Sequence, residues 1–384
     1  MLLVCNYAPD GLQSMLRFGA LMEQAIRETG VAVSVVAPVA RFGRIGGRYR
    51  YGGWKKWLGY LDKYVVFPTT LRRTASSNDK RCIVHVIDHG NAMYVPRRRT
   101  EPWLITCHDL LTVRAALGES THINPSRTGC LLQQWIMRGL RRADHVACDS
   151  SYTRNDWIRL AGKGDAMERS SVVPIALNHP YQQISRVTAL IRLAQVGLGK
   201  LGERPFVLHV GSNERRKNRK VVLAAVAGFR QKHDCGVVLA GAPLSSETLE
   251  LAKELGVSGT LTEVVRPDND LLEALYSMAH ALVFPSYFEG YGWPVLEAQA
   301  CGCPVICSNT SSVPEIAGNG ALLREPDDQK GITEDLLRLL EQAPRRELID
   351  RGFSNVRLYS VQTMALNYTA LYERLLLETP ARIL

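Results

Sequence analysis

The chain has 384 residues, more than one hydrophobic core normally serves, so two domains of roughly 150 to 200 residues each are expected. Hydrophobic residues make up 46% and charged residues 22%, and no run approaches the roughly 18 uninterrupted apolar residues that a membrane-crossing helix needs, which excludes a helical spanning protein. The net charge of +10 is uneven: residues 1–180 hold 25 Lys and Arg against 14 Asp and Glu, whereas the remainder holds 22 against 23, so the first half suits an anionic partner such as phosphate, lipid headgroup or nucleic acid.

Met1-Leu-Leu-Val-Cys-Asn-Tyr runs straight into a strand, without the basic region, apolar core and cleavage site of a signal peptide, and a cytoplasmic location is expected. A strand at residues 2–5, a helix at about 14–29 and a strand at 31–36 set a βαβ rhythm. Strands follow at 82–87, 103–107 and 145–148, the last leading through Ser150 and Ser151, good helix caps, into a helix from Tyr152. A second series places strands at 206–210, 236–240, 281–285 and 304–307, with helices at 218–233, 270–280 and 294–301. Strands alternating with helices imply the α/β class, with parallel sheets covered on both faces. The pattern weakens between Pro174 and Pro205, where Gly197, Gly199 and Gly202 interrupt it, so the domains are set at 1–180 and 200–361. Residues 345–377 read as helical, and a C-terminal helix at about 362–384 is expected to pack back on the first domain.

Nine cysteines scattered through apolar runs suit reduced core residues rather than a disulfide framework. Cys301, Cys303 and Cys307 cluster, but in a helix end and strand rather than at paired zinc-ligand spacing, so no metal is expected there. Asp268-Asn-Asp270 reads as a helix start, with Asp270 and Glu273 as a capping pair, rather than as a metal motif.

Chemistry concentrates at strand ends of the second half. In Glu289-Gly-Tyr-Gly-Trp-Pro-Val-Leu-Glu297 a strand gives way to a glycine-rich turn, and Pro294 suits a first helical position. The positive end of that helix is an anion seat. Gly290 and Gly292 permit close backbone approach, and Glu289 and Glu297 can accept hydrogen bonds from vicinal hydroxyls such as a sugar offers. The plainer reading is a strand-turn-helix connection with a surface glutamate and a dipole-favoured one. Val210-Gly211-Ser-Asn-Glu-Arg215-Arg216-Lys217-Asn218 puts cations at the carboxyl end of a parallel sheet, where ligands bind, and before a helix, where the dipole disfavours them; Lys217 and one of Arg215 and Arg216 could hold a diphosphate. The plainer alternative is a solvated basic helix start.

Together with Ala298-Gln-Ala-Cys-Gly-Cys-Pro-Val-Ile and Val313-Pro-Glu-Ile-Ala-Gly, these residues resemble the family 4 (group 1) glycosyltransferases, over about residues 206–326. The resemblance implies the GT-B architecture, two facing Rossmann-like domains with an interdomain cleft, and sugar transfer from a nucleotide-diphosphate donor with retention of configuration and no required metal or other cofactor. It implies that Glu297 binds the ribose and Glu289 the donor sugar, that Gly290, Tyr291, Gly292 and Trp293 meet sugar and diphosphate beside Gly211, and that Arg216 and Lys217 neutralise the leaving group. Arg266, in the loop after Val265, is placed near the base. A donor phosphate oxygen would take the acceptor proton, leaving the enzyme to orient and stabilise charge.

In the first half, Ile105-Thr-Cys-His108-Asp109 resembles the family's histidine motif, with His108 at the donor sugar; alone, a strand-end histidine reads as structural. Gly11 stands where relatives carry a paired-glycine loop, and would approach the diphosphate. Asp88, His89 and Asn91, with Asp109, are acceptor-side candidates, a hydrogen-bonded turn being the equal alternative. Residues 41–64 interleave seven cations and one acid with Tyr49, Tyr51, Trp54, Trp57, Tyr60 and Tyr64, which suits an anionic membrane surface and a lipid-linked acceptor, with a loop packed on the domain as the rival. No nucleic-acid reading motif is present, and no Gly-x-Gly-x-x-Gly follows the first strand, which argues against a dinucleotide oxidoreductase. The expected function is a retaining, metal-independent hexosyltransferase acting on a glycan or lipid-linked acceptor in cell-surface polysaccharide or glycolipid synthesis. The alternatives are a non-catalytic sugar-nucleotide-binding or scaffolding subunit, and a nucleotide-sugar hydrolase or epimerase.

Overall fold

A computed structural model describes residues 1–45, 55–76, 82–162 and 164–378. The chain forms two compact units, Met1–Asn178 with Val361–Leu384, and His179–Ser360.

The first unit holds six parallel strands, β1 (Leu2–Val4), β2 (Ser34–Val36), β3 (Val84–Val86), β4 (Trp103–Cys107), β5 (His145–Cys148) and β6 (Ser170–Val172), in the order β2-β1-β3-β4-β5-β6. Mostly apolar runs, with only Thr106 and His145 polar, make β1, β4 and β5 wholly buried, as a sheet covered on both faces requires. The helix Val361–Glu378 belongs to this unit and carries Tyr368 and Tyr372 into it. Tyr372 Oη lies 2.9 Å from His85 Nδ1, His85 Nε2 lies 2.8 Å from Thr106 Oγ1, and Tyr368 Oη lies 2.9 Å from the same hydroxyl. Burial pulls His85 down to about 3, so a neutral imidazole closes this network.

The second unit holds β7 (Phe206–Gly211), β8 (Gly236–Gly241), β9 (Leu261–Val265), β10 (Ala281–Phe284), β11 (Val305–Ser308) and β12 (Leu322–Arg324), all parallel, in the order β12-β11-β10-β7-β8-β9. Counted within the unit this is the 3-2-1-4-5-6 order of dinucleotide-type sheets, and the direction of winding reverses between β7 and β10. Val222, Leu223, Val226 and Phe229 of the helix Arg219–Arg230 pack with Val207, Val237, Leu239 and Val283 to form its core.

The structure corrects several expected elements. The edge strands β6, β9 and β12 are additional; each is short and only partly buried, so no apolar run marks it. The segment 345–377 is two helices, Gln342–Val356 and Val361–Glu378, and the second lies in the other unit. The helix Asn269–Met278 is capped by Asp268, whose Oδ1 accepts from Leu271 N at 2.8 Å, and not by Asp270. Glu273 is no capping partner: it is buried, accepting from Gln182 N at 3.0 Å and pairing with Arg192 at 2.6 Å.

Of the aromatic and basic segment 41–64, residues 46–54 lie outside the described residues. The described part turns some of its expected surface groups inward. Asp62 is buried and accepts from the backbone amides of Arg41, Phe42 and Gly43 at 3.1, 3.0 and 2.9 Å and from Tyr7 Oη at 3.1 Å. Lys63 is buried too, 2.5 Å from Asp10 and over the rings of Tyr60 and Tyr64. No helix among the described residues is long and apolar enough to cross a membrane.

Candidate active site

Two loops leave the carboxyl edge of the second sheet where its winding reverses. After β7 the chain passes through a 3-10 turn, Arg215–Lys217, and Asn218 enters the next helix in the left-handed region at φ +51°. After β10 it runs through 285–292 into the helix Trp293–Ala300, with Pro294 in the first turn and Gly292 as N-cap at φ +112°, a conformation that disfavours any side chain. The loops are tied together, since Tyr287 N donates to Arg216 O at 2.8 Å. Adjacent β7 and β10 thus bring residues 72 positions apart to one point.

Glu289 is the centre of that point. Its Oε1 lies 2.6 Å from Lys217 Nζ and its Oε2 lies 3.0 Å from Arg216 Nη1, while a second Arg216 nitrogen reaches Glu214 at the solvent edge, 2.5 Å away. Arg216 Nη1 also donates to Phe288 O at 3.0 Å. Burial raises the Glu289 carboxyl, but Lys217 and Arg216 outweigh it and hold it below the ordinary value; burial also draws Lys217 below the usual lysine value against the pull of Glu289. Lys217 Nζ sits 5.1 Å over the Phe284 ring, and a Cβ on Gly211 would stand 3.2 Å from His209 Nε2, tighter than most such contacts, and in ordinary contact with the Lys217 stem. The cluster therefore sets Lys217 and Arg216 against the buried Glu289 at the positive end of a helix, with Glu214 at the solvent edge balancing the second cation. Two serines that motif reading passes over fix the carboxylate's backbone: Glu289 N donates to Ser311 Oγ at 3.0 Å, and Ser312 Oγ donates to Glu289 O and Tyr291 O, both at 2.9 Å. Their position before Val313-Pro-Glu was the available signal.

Glu297 is buried one turn into the same helix and accepts from Tyr276 Oη at 2.8 Å. Tyr276 also escapes sequence reading, because it sits on a different helix 21 residues earlier. Arg266 is exposed at the end of β9 with φ +48°, its N donating to Gly241 O at 2.8 Å. A cavity of about 420 Å³ borders the cluster through Glu214, Arg215 and Tyr287, though Lys217, Glu289 and Glu297 do not line it.

In the first unit the candidates are more fully engaged. His108 is buried with Nδ1 3.2 Å from Asp149 Oδ2 and Nε2 2.9 Å from Ile87 O. A carbonyl only accepts, so Nε2 carries a proton, and Asp149 with Nδ1 shares another; neither ring nitrogen is left for a sugar in this arrangement. Asp149 raises the His108 value against burial. Asp88 caps the segment His89–Tyr94, taking Gly90 N at 2.7 Å and Asn6 Nδ2 at 2.5 Å, and His89 Nδ1 lies 3.6 Å from it. This is the hydrogen-bonded turn. Asp109 likewise takes Leu111 N at 2.9 Å. Gly11, at φ +69°, ends the 3-10 turn Ala8–Asp10 with open space around it. The buried atoms Asn6 Oδ1 and Asn91 Nδ2 have no hydrogen-bond partner, and they flank the β1/β3 switch point of this sheet. The cysteines are all unbridged, burial pushes Cys303 up to about 12, and no group of three or more metal-ligating side chains is present among the described residues.

Residues 194–353 match the family model for glycosyl transferases group 1. The chain is 28% identical over 282 residues to O-antigen chain mannosyltransferase B of Escherichia coli, covering 71% of this chain and 70% of that one. It is 34% identical over 169 residues to D-inositol 3-phosphate glycosyltransferase of Salinispora tropica, covering 40% of this chain and only 34% of that relative. Among solved structures, the sucrose-phosphate synthase of Thermosynechococcus elongatus superposes with a TM-score of 0.74 over 98% of this chain and 99% of that one, at 21% identity. The second unit accordingly matches the group 1 glycosyl transferase model over residues 194–353, and the chain has the two-sheet α/β fold of the GT-B structures it superposes on.

Proposed function

We propose that the protein transfers a hexose, with mannose favoured, from a nucleoside-diphosphate donor to a glycan or lipid-linked acceptor in cell-surface polysaccharide or glycolipid synthesis, retaining anomeric configuration and needing no metal. The observation that carries this reading is the Arg216–Lys217–Glu289 cluster at the β7/β10 switch point, beside the positive end of the helix Trp293–Ala300. A diphosphate competes with Glu289 and the exposed Glu214 for Lys217 and Arg216, and frees part of both cations from Glu289, whose carboxylate then accepts sugar hydroxyls. Glu297, oriented by Tyr276, takes the ribose hydroxyls. Mannose is favoured because the Escherichia coli relative is named for mannosyl transfer.

In this reading the C1–oxygen bond to the leaving phosphate breaks while the acceptor oxygen bonds C1 on the same face, and the acceptor proton passes to a donor phosphate oxygen. Lys217 and Arg216 stabilise the charge growing on the diphosphate. His108, with both nitrogens engaged, shapes the first unit's strand end instead of touching the sugar through its ring. The test is incubation with GDP- and UDP-hexoses and a lipid-linked or oligosaccharide acceptor, with product configuration read by NMR. Transfer that needs acceptor and keeps the donor's anomeric configuration supports the reading. Donor loss without acceptor points to hydrolysis, and no donor loss in any combination points to a binding subunit.

A further inference from the structure

We propose that the first unit docks on an anionic phospholipid surface through two neighbouring helical faces, one running along residues 55–66 and the other along the helix Arg127–Leu140. This inference is separate from the donor site and does not depend on it. On the first face Trp57, Leu61 and Val65 follow one another at a spacing of four and are all exposed. On the second, Leu131 and Trp135 show the same spacing and are 65% and 38% exposed. The ring of Tyr64 lies 5.4 Å from that of Trp135, and Trp57, Tyr60 and Tyr64 form a chain of ring contacts at 5.6 and 5.3 Å, so the two faces meet. Five large exposed apolar side chains on two elements joined by these ring contacts are the kind of feature that marks an interaction surface.

Charge selects the partner. The helix Arg127–Leu140 contains no acid and displays Arg127 and Arg138 on its exposed face. Across 55–76 the one acid is Asp62, which is buried and neutralised by backbone amides and Tyr7, while Arg72 and Arg73 are exposed. At the end of the second helix, burial and the like charges of Arg97, Arg99 and Arg138 hold Arg142 below the ordinary arginine value, a crowding that an anionic surface would relieve. Exposed tryptophans beside arginines match the headgroup boundary of an anionic bilayer, and the carboxylates nearby are already engaged, Asp62 by backbone amides, Asp10 by Lys63 and Asp144 by Arg99, whereas a protein partner's face would need acids throughout. The proposed surface keeps the 55–64 part of the segment expected from the sequence and adds the helix Arg127–Leu140.

The test is vesicle flotation of the full chain at low salt, with pure phosphatidylcholine and with roughly one part in three of phosphatidylglycerol. The comparison is a variant carrying Trp57→Ser, Leu131→Ser, Trp135→Ser, Arg127→Glu and Arg138→Glu. Its fold is checked by circular dichroism and by nucleotide binding, which the inference leaves unchanged. The wild type should float with the anionic vesicles, release at high salt, and bind at least about tenfold better than the variant, with tryptophan emission shifted to the blue. No flotation, equal flotation on neutral lipid, or equal binding by a folded variant would overturn the proposal. So would sedimentation showing a wild-type dimer that the variant abolishes, since a second copy would then cover this face.

Discussion

Replacing Glu289 by Gln removes the carboxylate that compensates Lys217, and the geometry sets the cost. The two side chains are 8% and 11% exposed and 2.6 Å apart, so the lysine cannot recover full hydration in place. Removing one partner of a buried pair costs about 3–5 kcal/mol. Arg216 is nearer solvent and has Glu214, so the penalty should sit at the lower end, about 3 kcal/mol, which for a unit of this size is a fall in Tm of roughly 6–12 °C. Lys217→Met alone should be similarly harmful, leaving a buried carboxylate with Arg216. The double variant Lys217→Met/Glu289→Gln should recover a coupling energy of about 2 kcal/mol or more. The pH dependence has a definite sign. Because Glu289 titrates below the usual glutamate value of 4.5 in the folded chain, the unfolded chain takes up the proton first as pH falls. Its stabilising contribution is complete above that value and fades as pH drops toward the folded value, so the gap between wild type and Glu289→Gln should narrow in acid. Urea unfolding of the four proteins across pH measures all of this. Strictly additive single effects, or a gap that widens in acid, would refute the buried-pair account.

Tyr276→Phe should weaken nucleoside-diphosphate binding by about 1–3 kcal/mol, because Glu297 loses the phenol that orients it; titration calorimetry with free nucleotide reads this, and unchanged affinity would detach Tyr276 from the site. Gly292→Ala should lower stability by at least about 1 kcal/mol and impair turnover, since alanine at φ +112° is strained whatever space it has; thermal unfolding and steady-state rates check it. Activity should survive EDTA, because Arg216, Lys217 and the helix end supply the positive charge; complete loss, restored by magnesium or manganese, would assign that charge to a metal instead.

The central strands were open to sequence reading because β10 is an uninterrupted apolar run and β4 and β5 are mostly apolar, broken only by Thr106 and His145, as burial on both faces demands. The edge strands β6, β9 and β12 were not, because one open side lets polar residues in and blurs the pattern. The glycine-rich turn was readable from Gly292 and Pro294, since few residues satisfy a positive φ followed by a helix start. The union of Lys217 with Glu289 was not: sequence reading assigns each a separate ligand contact, and their pairing arises from the adjacency of β7 and β10 in the sheet. The same limit hid Tyr276 and Ser311, whose partners lie 21 and 22 residues away on other elements. His108 was marked by its strand end, but the Asp149 that occupies it comes from the end of β5, 41 residues on.

The central claim is that a nucleoside diphosphate binds at the β7/β10 switch point, and titration calorimetry of the full chain with UDP and with GDP tests it most directly. One of the two should bind, and Arg216→Ala/Lys217→Ala, folded by circular dichroism, should lose about tenfold to a thousandfold in affinity, consistent with the loss of two charge-assisted contacts. Failure of both nucleotides to bind the wild type, or equal affinity in the folded double variant, would contradict the account.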